Sequence, residues 1–254
     1  MKKRVVTALG IILVVALPLA FGGWLLELLA LFIVGAGAYE WAHICPDFKK
    51  WPKAIVPIMV LAVLLTRFVS QPHLYIVLTC TTVFFWILTI FAEDFEISDA
   101  FYCLTYFLIF SLIYRTIGFF SANHLYLITI VFATYGSDTG AWFIGRKFGK
   151  HKMNPRSPKK SWEGLAGGIV FGAVLSFVIS LLYWKNLDLR ILLPLCIFCP
   201  GIAEIGDLAF SAIKRYFHVK DFSNLLPGHG GVLDRVDSLL MNMLFCGILI
   251  SIFL

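Results

Sequence analysis

Apolar residues fill most of the chain in long runs that are separated by short polar segments. A membrane-spanning helix needs about 20 consecutive, mostly apolar residues, and nine runs approach that length. The predicted spans are 5–21, 24–44, 54–70, 73–92, 100–120, 125–145, 164–184, 190–213 and 231–254. The longest gaps are 146–163 and 214–230, which leave no room for a separate soluble domain. The pattern therefore predicts an all-α polytopic membrane protein with about nine transmembrane helices.

The composition excludes a soluble globular domain. Hydrophobic residues make up 60% of the 254 residues and charged residues only 14%, whereas soluble domains average about 45–50% and about 25%. The excess of 21 Lys and Arg over 15 Asp and Glu would suggest nucleic-acid binding in a soluble protein. In a membrane protein the positive-inside rule accounts for the same excess, so we expect membrane lipid and no nucleic acid among the partners.

The distribution of basic residues predicts the orientation of the chain. With a cytoplasmic amino terminus, 17 Lys and Arg residues face the cytoplasm and four face the other side, a bias large enough to set the topology. Both long loops are then cytoplasmic and the carboxyl terminus lies outside. The start of the chain also resembles a secretory signal, but we favour an uncleaved first helix. We expect residues 1–124 to supply anchoring and dimer contacts, and residues 125–254 to carry the catalytic helices. Glu40, near the cytoplasmic end of the second helix, could also reach the site.

Four carboxylates on three predicted helices lie at a similar depth. From the rise of an α-helix, Asp138 and Asp207 each lie about 10 Å from the cytoplasmic end of their helices, and Asp234 and Asp237 about 5 to 9 Å from theirs. Burying such charges in a membrane is costly and marks function. Mg²⁺ binds through one or two carboxylates and takes its other ligands from water and phosphate. The pattern predicts a Mg²⁺ site that opens to the cytoplasm.

The same charges have a structural interpretation. Asp234 or Asp237 could form interhelical salt bridges with Lys214 or Arg215, although four acids would then outnumber the two nearby bases. The spacing favours the metal site and leaves the salt bridges open as the alternative.

Glycine-rich segments and a basic loop suggest a phosphate ligand. In segment 136–140, GSDTG, we expect a local helix break beside a cavity. Segment 227–231, PGHGG, precedes the last helix, where free N–H groups would cradle an anion; a flexible turn is the alternative. The loop 146–160 carries seven bases and is either a phosphate clamp or a product of topology and attraction to anionic lipid.

Residues 211–238 closely resemble the signature of the phosphatidate cytidylyltransferase (CDP-diacylglycerol synthase) family. Their sequence is SAIKRYFHVKDFSNLLPGHGGVLDRVDS. Three other segments also resemble segments of this family: YGSDTGAWFIGRKFGKHK, SPKKSWEG and GDLAFS. The resemblance is strong over residues 130–254, whereas the first five helices match only in hydropathy. Two residues depart from the family pattern. Ser161 stands where threonine is expected, and Phe210 stands where an acid is common. The departure at Phe210 puts in doubt only an additional carboxylate at that position.

The resemblance implies transfer of CMP from CTP to phosphatidic acid at the cytoplasmic face of the inner membrane, giving CDP-diacylglycerol and pyrophosphate. It also implies a homodimer and a Mg²⁺ cofactor, with Mn²⁺ as a substitute and K⁺ as a further cation. The implied metal ligands are Asp207, Asp234 and Asp237. The implied catalytic residues are these three aspartates with Lys214 and Arg235. The expected substrate-binding residues are Asp138, Ser157, Lys159, Lys160, Ser161, Glu163, Ser211, Arg215, Lys220, Asp221, His229, Gly230 and Gly231.

Two other functions compete with this interpretation. A secondary transporter or lipid-phosphate flippase usually shows broken helices in corresponding positions of two halves, but here the acids and glycines crowd the carboxyl-terminal half. A CTP-dependent polyprenol kinase would use the same nucleotide and would differ in its products.

Overall fold

A computed structural model describes the backbone of residues 2–154 and 157–254, and side chains over 10–153, 160–183 and 185–254. Within these ranges the chain forms nine α-helices, numbered in chain order: α1 Lys2–Phe21, α2 Gly23–His43, α3 Ile55–Phe68, α4 Gln71–Phe91, α5 Ile97–Ala122, α6 His124–Phe148, α7 Trp162–Ser180, α8 Leu189–Tyr216 and α9 Leu233–Phe253. Each coincides with a predicted span. Short 3₁₀ turns lie at Phe48–Lys50 and Trp184–Asn186.

Six of the described helices are long and apolar enough to cross a membrane: α2, α4, α5, α7, α8 and α9. This confirms the predicted fold class, an all-α polytopic membrane protein. Helix α3 is shorter, because its 14 residues rise only about 21 Å against a hydrocarbon core of about 30 Å. The number of full crossings therefore stays a prediction.

The loop between α6 and α7 contains a hairpin that the hydropathy pattern did not predict. Strands β1, Lys152–Asn154, and β2, Ser157–Ser161, pair antiparallel, with Lys152 opposite Ser161. Because β2 runs directly into α7, the hairpin is held at the end of the helix bundle where α6 ends and α7 begins. This position brings β2 close to the charged part of α8.

Helix α6 runs without interruption through segment 136–140, so the predicted local break is wrong. The glycines instead allow close packing between α6 and α7. A Cβ added to Gly136 would lie 3.2 Å from the Gly172 Cα, and one added to Gly168 would lie 2.7 Å from the Ser137 carbonyl oxygen. Small residues at membrane helix interfaces let two backbones approach in this way.

Trp41 connects the two halves of the chain. Its indole ring, fully buried on α2, stacks on Tyr102 of α5 and on Phe222, with ring centroids 4.9 and 6.3 Å away. It also meets the ring of Phe210 on α8 edge to face. The segment 217–232 between α8 and α9 is therefore packed onto α2 and α5, and the first five helices help to position the charged residues of the last two.

Candidate active site

A cavity of about 770 Å³ lies among α1, α6, α8, α9 and the segment 217–232. All four carboxylates that the sequence placed at one depth line this cavity: Asp138, Asp207, Asp234 and Asp237. Lys214, Asp221, His229 and Arg235 also line it. We call it the carboxylate cavity. The structure thus brings together acids from three helices, as the depth argument predicted.

Asp234 is the most enclosed of these acids, with a side chain only 2% exposed. One of its oxygens pairs with the Lys214 ammonium at 2.7 Å. The other accepts hydrogen bonds from the backbone N–H groups of Phe222 and Gly231, at 2.8 and 2.9 Å. The salt-bridge interpretation therefore applies to Asp234, whose carboxylate fixes the segment before α9. Its role as a metal ligand stays a prediction.

Asp207 and Asp237 are more accessible from the carboxylate cavity, with side chains 34% and 11% exposed. One oxygen of Asp237 accepts a hydrogen bond from the Ser238 backbone N–H, and the other lies 4.0 Å from the Lys214 ammonium. Asp207 contacts Lys160 at 2.5 Å. These two acids therefore remain available to a ligand in the cavity.

Glu40 on α2 is fully buried and organises the start of α9. Its carboxylate accepts hydrogen bonds from the Ser223 hydroxyl at 2.6 Å and from the backbone N–H groups of Val232 and Leu233 at 2.7 and 2.8 Å. The prediction that free N–H groups before α9 cradle an anion is wrong for these positions, because the protein's own Glu40 and Asp234 carboxylates already occupy them. The buried Glu40 carboxylate thus satisfies the N–H groups at the buried start of α9 without a ligand.

Lys160 reaches from β2 to two carboxylates on α8. Its ammonium group lies 2.6 Å from Glu204 and 2.5 Å from Asp207. Partial burial lowers the pKa of Lys160, but the attraction and hydrogen bonds of these two carboxylates outweigh it, and the pKa lies above the ordinary lysine value. Lys160 therefore stays charged at neutral pH. Glu204 was not among the predicted site residues, although its position three residues before Asp207 places both acids on one helix face.

A further cavity of about 360 Å³ lies under the hairpin, and we call it the hairpin cavity. Arg146, Lys160, Ser161 and Glu204 are among the residues that line it. Asp138 lines both the hairpin cavity and the carboxylate cavity. The two spaces are therefore neighbours, with Lys160 and Asp138 between them.

Ser161 and Glu163 have structural contacts at the start of α7. The Ser161 hydroxyl accepts a hydrogen bond from the Gly164 backbone N–H at 3.1 Å, as an N-cap residue does. Glu163 lies 2.6 Å from the His151 Nδ1 and accepts hydrogen bonds from the backbone N–H groups of Lys150 and His151. The side chains of Ser157 and Lys159 lie outside the described part of the structure. The substrate-binding roles of these four residues stay predictions.

Of the other predicted substrate-binding residues, some lie in the carboxylate cavity and some lie outside it. Arg215 is exposed, and its guanidinium donates a hydrogen bond to the Val219 carbonyl at 2.7 Å. Lys220 is also exposed, and neither residue lines the carboxylate cavity. His229 lines this cavity, and its Nδ1 is buried without a hydrogen-bond partner among the described residues. The Nδ1 atom of His229 can therefore form a hydrogen bond with a ligand.

The remaining signature residues lie next to residues that line the carboxylate cavity. Ser211 is half-buried on α8, one turn after Asp207. Gly230 has a φ of +83°, a backbone conformation that favours glycine. Gly231 lies directly against Glu40, where a Cβ atom would approach the Oε1 atom to 2.7 Å.

The residues of the carboxylate cavity fit a divalent cation that keeps part of its own ligand shell. Among the described residues, no three His, Cys, Asp or Glu side chains form a group that could hold a metal ion by themselves. Mg²⁺ does not need such a group, since it binds through one or two carboxylates and keeps several waters or phosphate oxygens. Asp207 and Asp237, which both line the carboxylate cavity, fit a cation of this kind.

Substitution of Gly231 by alanine is expected to lower the thermal unfolding temperature in detergent. The new Cβ would meet the Glu40 carboxylate at 2.7 to 2.8 Å, and overpacking of this kind costs about 1–3 kcal/mol. The matched control is Gly35→Ala on α2, where an added Cβ has nothing within 4 Å. Equal unfolding temperatures for the two variants would contradict the close contact between Glu40 and the entry to α9.

Comparison with known proteins gives one consistent match. A model described as "Cytidylyltransferase family" matches residues 2–253. The phosphatidate cytidylyltransferase of Staphylococcus saprophyticus is 31% identical over 263 residues, covering 98% of this chain and 99% of the relative. That of Pseudomonas aeruginosa is 34% identical over 258 residues, covering 94% and 93%. That of Bacillus subtilis is 39% identical over 140 residues, about half of each chain, at 55% and 51%. These matches confirm the resemblance seen in the signature segment.

Proposed function

We propose, since this chain belongs to the cytidylyltransferase family, that it transfers CMP from CTP to phosphatidic acid in phospholipid biosynthesis. The products are CDP-diacylglycerol and pyrophosphate. The main structural support is the carboxylate cavity, where acids from three membrane helices meet Lys214 and Arg235. The name shared by the relatives supports phosphatidic acid as the acceptor.

The proposed reaction needs charge neutralisation more than a general base. The second pKa of a phosphate monoester is about 6, so the lipid phosphate is mostly a dianion at neutral pH and is itself the nucleophile. One of its oxygens forms a bond to the α-phosphorus of CTP. The bond from that phosphorus to the bridging oxygen breaks, and this oxygen leaves with pyrophosphate. Catalysis of such transfers consists mostly of positioning and electrostatics.

The basic residues have distinct positions for this task. Lys214, held by Asp234, and the exposed Arg235 both line the carboxylate cavity, where they would bind the phosphate of the lipid. Arg146 and Lys160 line the neighbouring hairpin cavity, where they would bind the triphosphate. The lipid phosphate and the triphosphate would then meet beside Asp138, which lines both cavities.

We further propose Mg²⁺ as the cofactor, with Mn²⁺ as a substitute and K⁺ as an additional cation. Asp207, Asp234 and Asp237 would hold the divalent ion, and Asp234 would also orient Lys214 beside them. When bound, Mg²⁺ neutralises phosphate oxygens and acts as a Lewis acid. We also propose a homodimer in the inner membrane, with the carboxylate cavity opening to the cytoplasm as the positive-inside rule indicates.

The experiment is an assay of the purified protein with radiolabelled CTP, phosphatidic acid and Mg²⁺, followed by thin-layer separation. We expect labelled CDP-diacylglycerol and an equal amount of pyrophosphate only when all three components are present. In a parallel reaction with a polyprenol in place of phosphatidic acid, a phosphorylated polyprenol together with CDP would indicate a polyprenol kinase instead. Uptake of a lipid phosphate into vesicles without CTP, and without a labelled product, would indicate a transporter.

A further inference from the structure

A third cavity, almost entirely apolar, lies deeper in the helix bundle and encloses about 120 Å³. Side chains from α1, α2, α5, α6 and α9 line it, and they are apolar apart from Tyr114, Tyr135 and Arg235. We call it the apolar cavity. An apolar space of this kind excludes water, so its occupant must also be apolar.

The apolar cavity adjoins the carboxylate cavity. Five residues line both spaces: Ile11, Val15, Leu19, Tyr135 and Arg235. The three from α1 recur at every fourth position and so share one helix face. Arg235 therefore lies where a charged space passes into an apolar one, and α1 forms a common wall of both.

We propose that the apolar cavity binds the part of one acyl chain of phosphatidic acid that is nearest to the glycerol. This inference rests on the proposed function. Phosphatidic acid carries a doubly charged phosphate group next to two hydrocarbon chains. The two adjoining cavities match these parts, since one is lined by charged residues and the other by apolar ones. With the phosphate beside Lys214 and Arg235, the first carbons of one chain lie against Ile11, Val15 and Leu19.

The positive charges of Lys214 and Arg235 explain why the occupant is phosphatidic acid rather than any membrane lipid. Guanidinium and ammonium groups form their strongest hydrogen bonds with anions such as a phosphate monoester. Lys214 and Arg235 therefore favour a lipid that ends in such a phosphate over a zwitterionic lipid with the same chains. The hydrocarbon itself gives little preference, because the bilayer is equally apolar.

The size of the apolar cavity limits how much of the chain it holds. Its volume of about 120 Å³ is only a few times the roughly 30 Å³ that one water occupies in the liquid. It therefore fits a short chain segment, and the rest of the chain continues into the bilayer. Consequently the fit should depend on side-chain volume at the cavity wall.

Filling the apolar cavity tests the proposal. Ala30 on α2 lines it and Ala62 on α3 does not, although they are similarly buried, at 7% and 5% exposed. We would measure kcat/KM of each alanine-to-leucine variant with dioleoyl and with diacetyl phosphatidic acid. Ala30→Leu is expected to reduce the preference for dioleoyl by at least about fivefold, because the acetyl groups are too short to fill the cavity and lose little when it is filled. Ala62→Leu is expected to leave that preference unchanged.

Two further measurements keep the proposal testable if Ala30→Leu folds poorly. Met243→Ala in the same cavity removes a volume similar to that which Ala30→Leu adds, so the double variant should regain the preference. In the wild-type protein, phosphatidic acid with a photoreactive diazirine near the start of one chain should label residues of the apolar cavity. Excess dioleoyl phosphatidic acid should block this labelling, and phosphatidylcholine should not.

Each result has a distinct meaning. An unchanged chain preference in Ala30→Leu, or labelling confined to exposed apolar residues such as Phe91 and Leu182, would overturn the acyl-chain site while the transferase function stood. Absence of CMP transfer to either phosphatidic acid by the wild-type protein would instead reject the proposed function.

Discussion

Replacement of Asp207 by asparagine is expected to reduce CMP transfer at least about a hundredfold, which corresponds to about 3 kcal/mol of transition-state stabilisation. The change keeps the size of the side chain and removes the charge that faces both Lys160 and the cavity. Because Asp207 is about one-third exposed and Lys160 keeps its contact with Glu204, the thermal unfolding temperature should change little. The measurements are the initial rate of the labelled-CTP assay, taken over a range of Mg²⁺ concentrations, and thermal unfolding in detergent.

Asp234→Asn is the informative comparison for this variant. It should also lose activity, but it should lower the unfolding temperature as well, because Asp234 holds Lys214 and two backbone N–H groups. Removal of one partner from a buried ion pair typically costs about 3–5 kcal/mol. Asp94→Asn, an exposed substitution, is the control that should change neither property. Full turnover in Asp207→Asn would remove Asp207 from the metal and catalytic assignments.

The helices could be predicted from the sequence because each is a long apolar run with short polar ends. The predicted span 73–92 corresponds to Gln71–Phe91, and 54–70 corresponds to Ile55–Phe68. Differences arise where polar residues extend a helix. A capping box of Glu96 and Asp99 starts α5 at residue 97, before the apolar run that marked the span. The hairpin 152–161 was missed because its polar strands lack the alternation that identifies a half-buried strand.

The candidate site was partly predictable for a similar reason. Charges stand out in apolar helices, so the acids at one depth could be identified by counting residues. The position of Glu40 near one end of its helix indicated that it could reach the site, and this is confirmed. The partners of Glu40 could not be predicted, because Glu40 and Val232 are 192 positions apart and no local pattern reports such a pair. The anion-cradle prediction failed on this point, since local sequence cannot show that another helix supplies the carboxylate.

Replacement of Glu40 by alanine is expected to destabilise the protein at least as much as Asp234→Asn and more than Gly231→Ala. It would leave the Ser223 hydroxyl and the N–H groups of Val232 and Leu233 buried without an acceptor. Each unsatisfied buried group costs about 1–3 kcal/mol, so a total of roughly 3–5 kcal/mol is expected even with partial relaxation. CMP transfer should fall as well, because the segment that Glu40 fixes also positions Asp234 and Lys214. Thermal unfolding and the labelled-CTP assay measure the two effects.

Glu40→Gln separates the loss of the acceptor from the loss of the side-chain volume. The amide keeps one oxygen, but its NH₂ group must face a hydrogen-bond donor, since all three partners of Glu40 donate. Its unfolding temperature should therefore lie between those of the wild type and Glu40→Ala. Glu93→Ala, at an exposed position, is the control and should behave as the wild type. If both Glu40 variants unfolded at the same temperature as the wild type, the start of α9 would not depend on this acid.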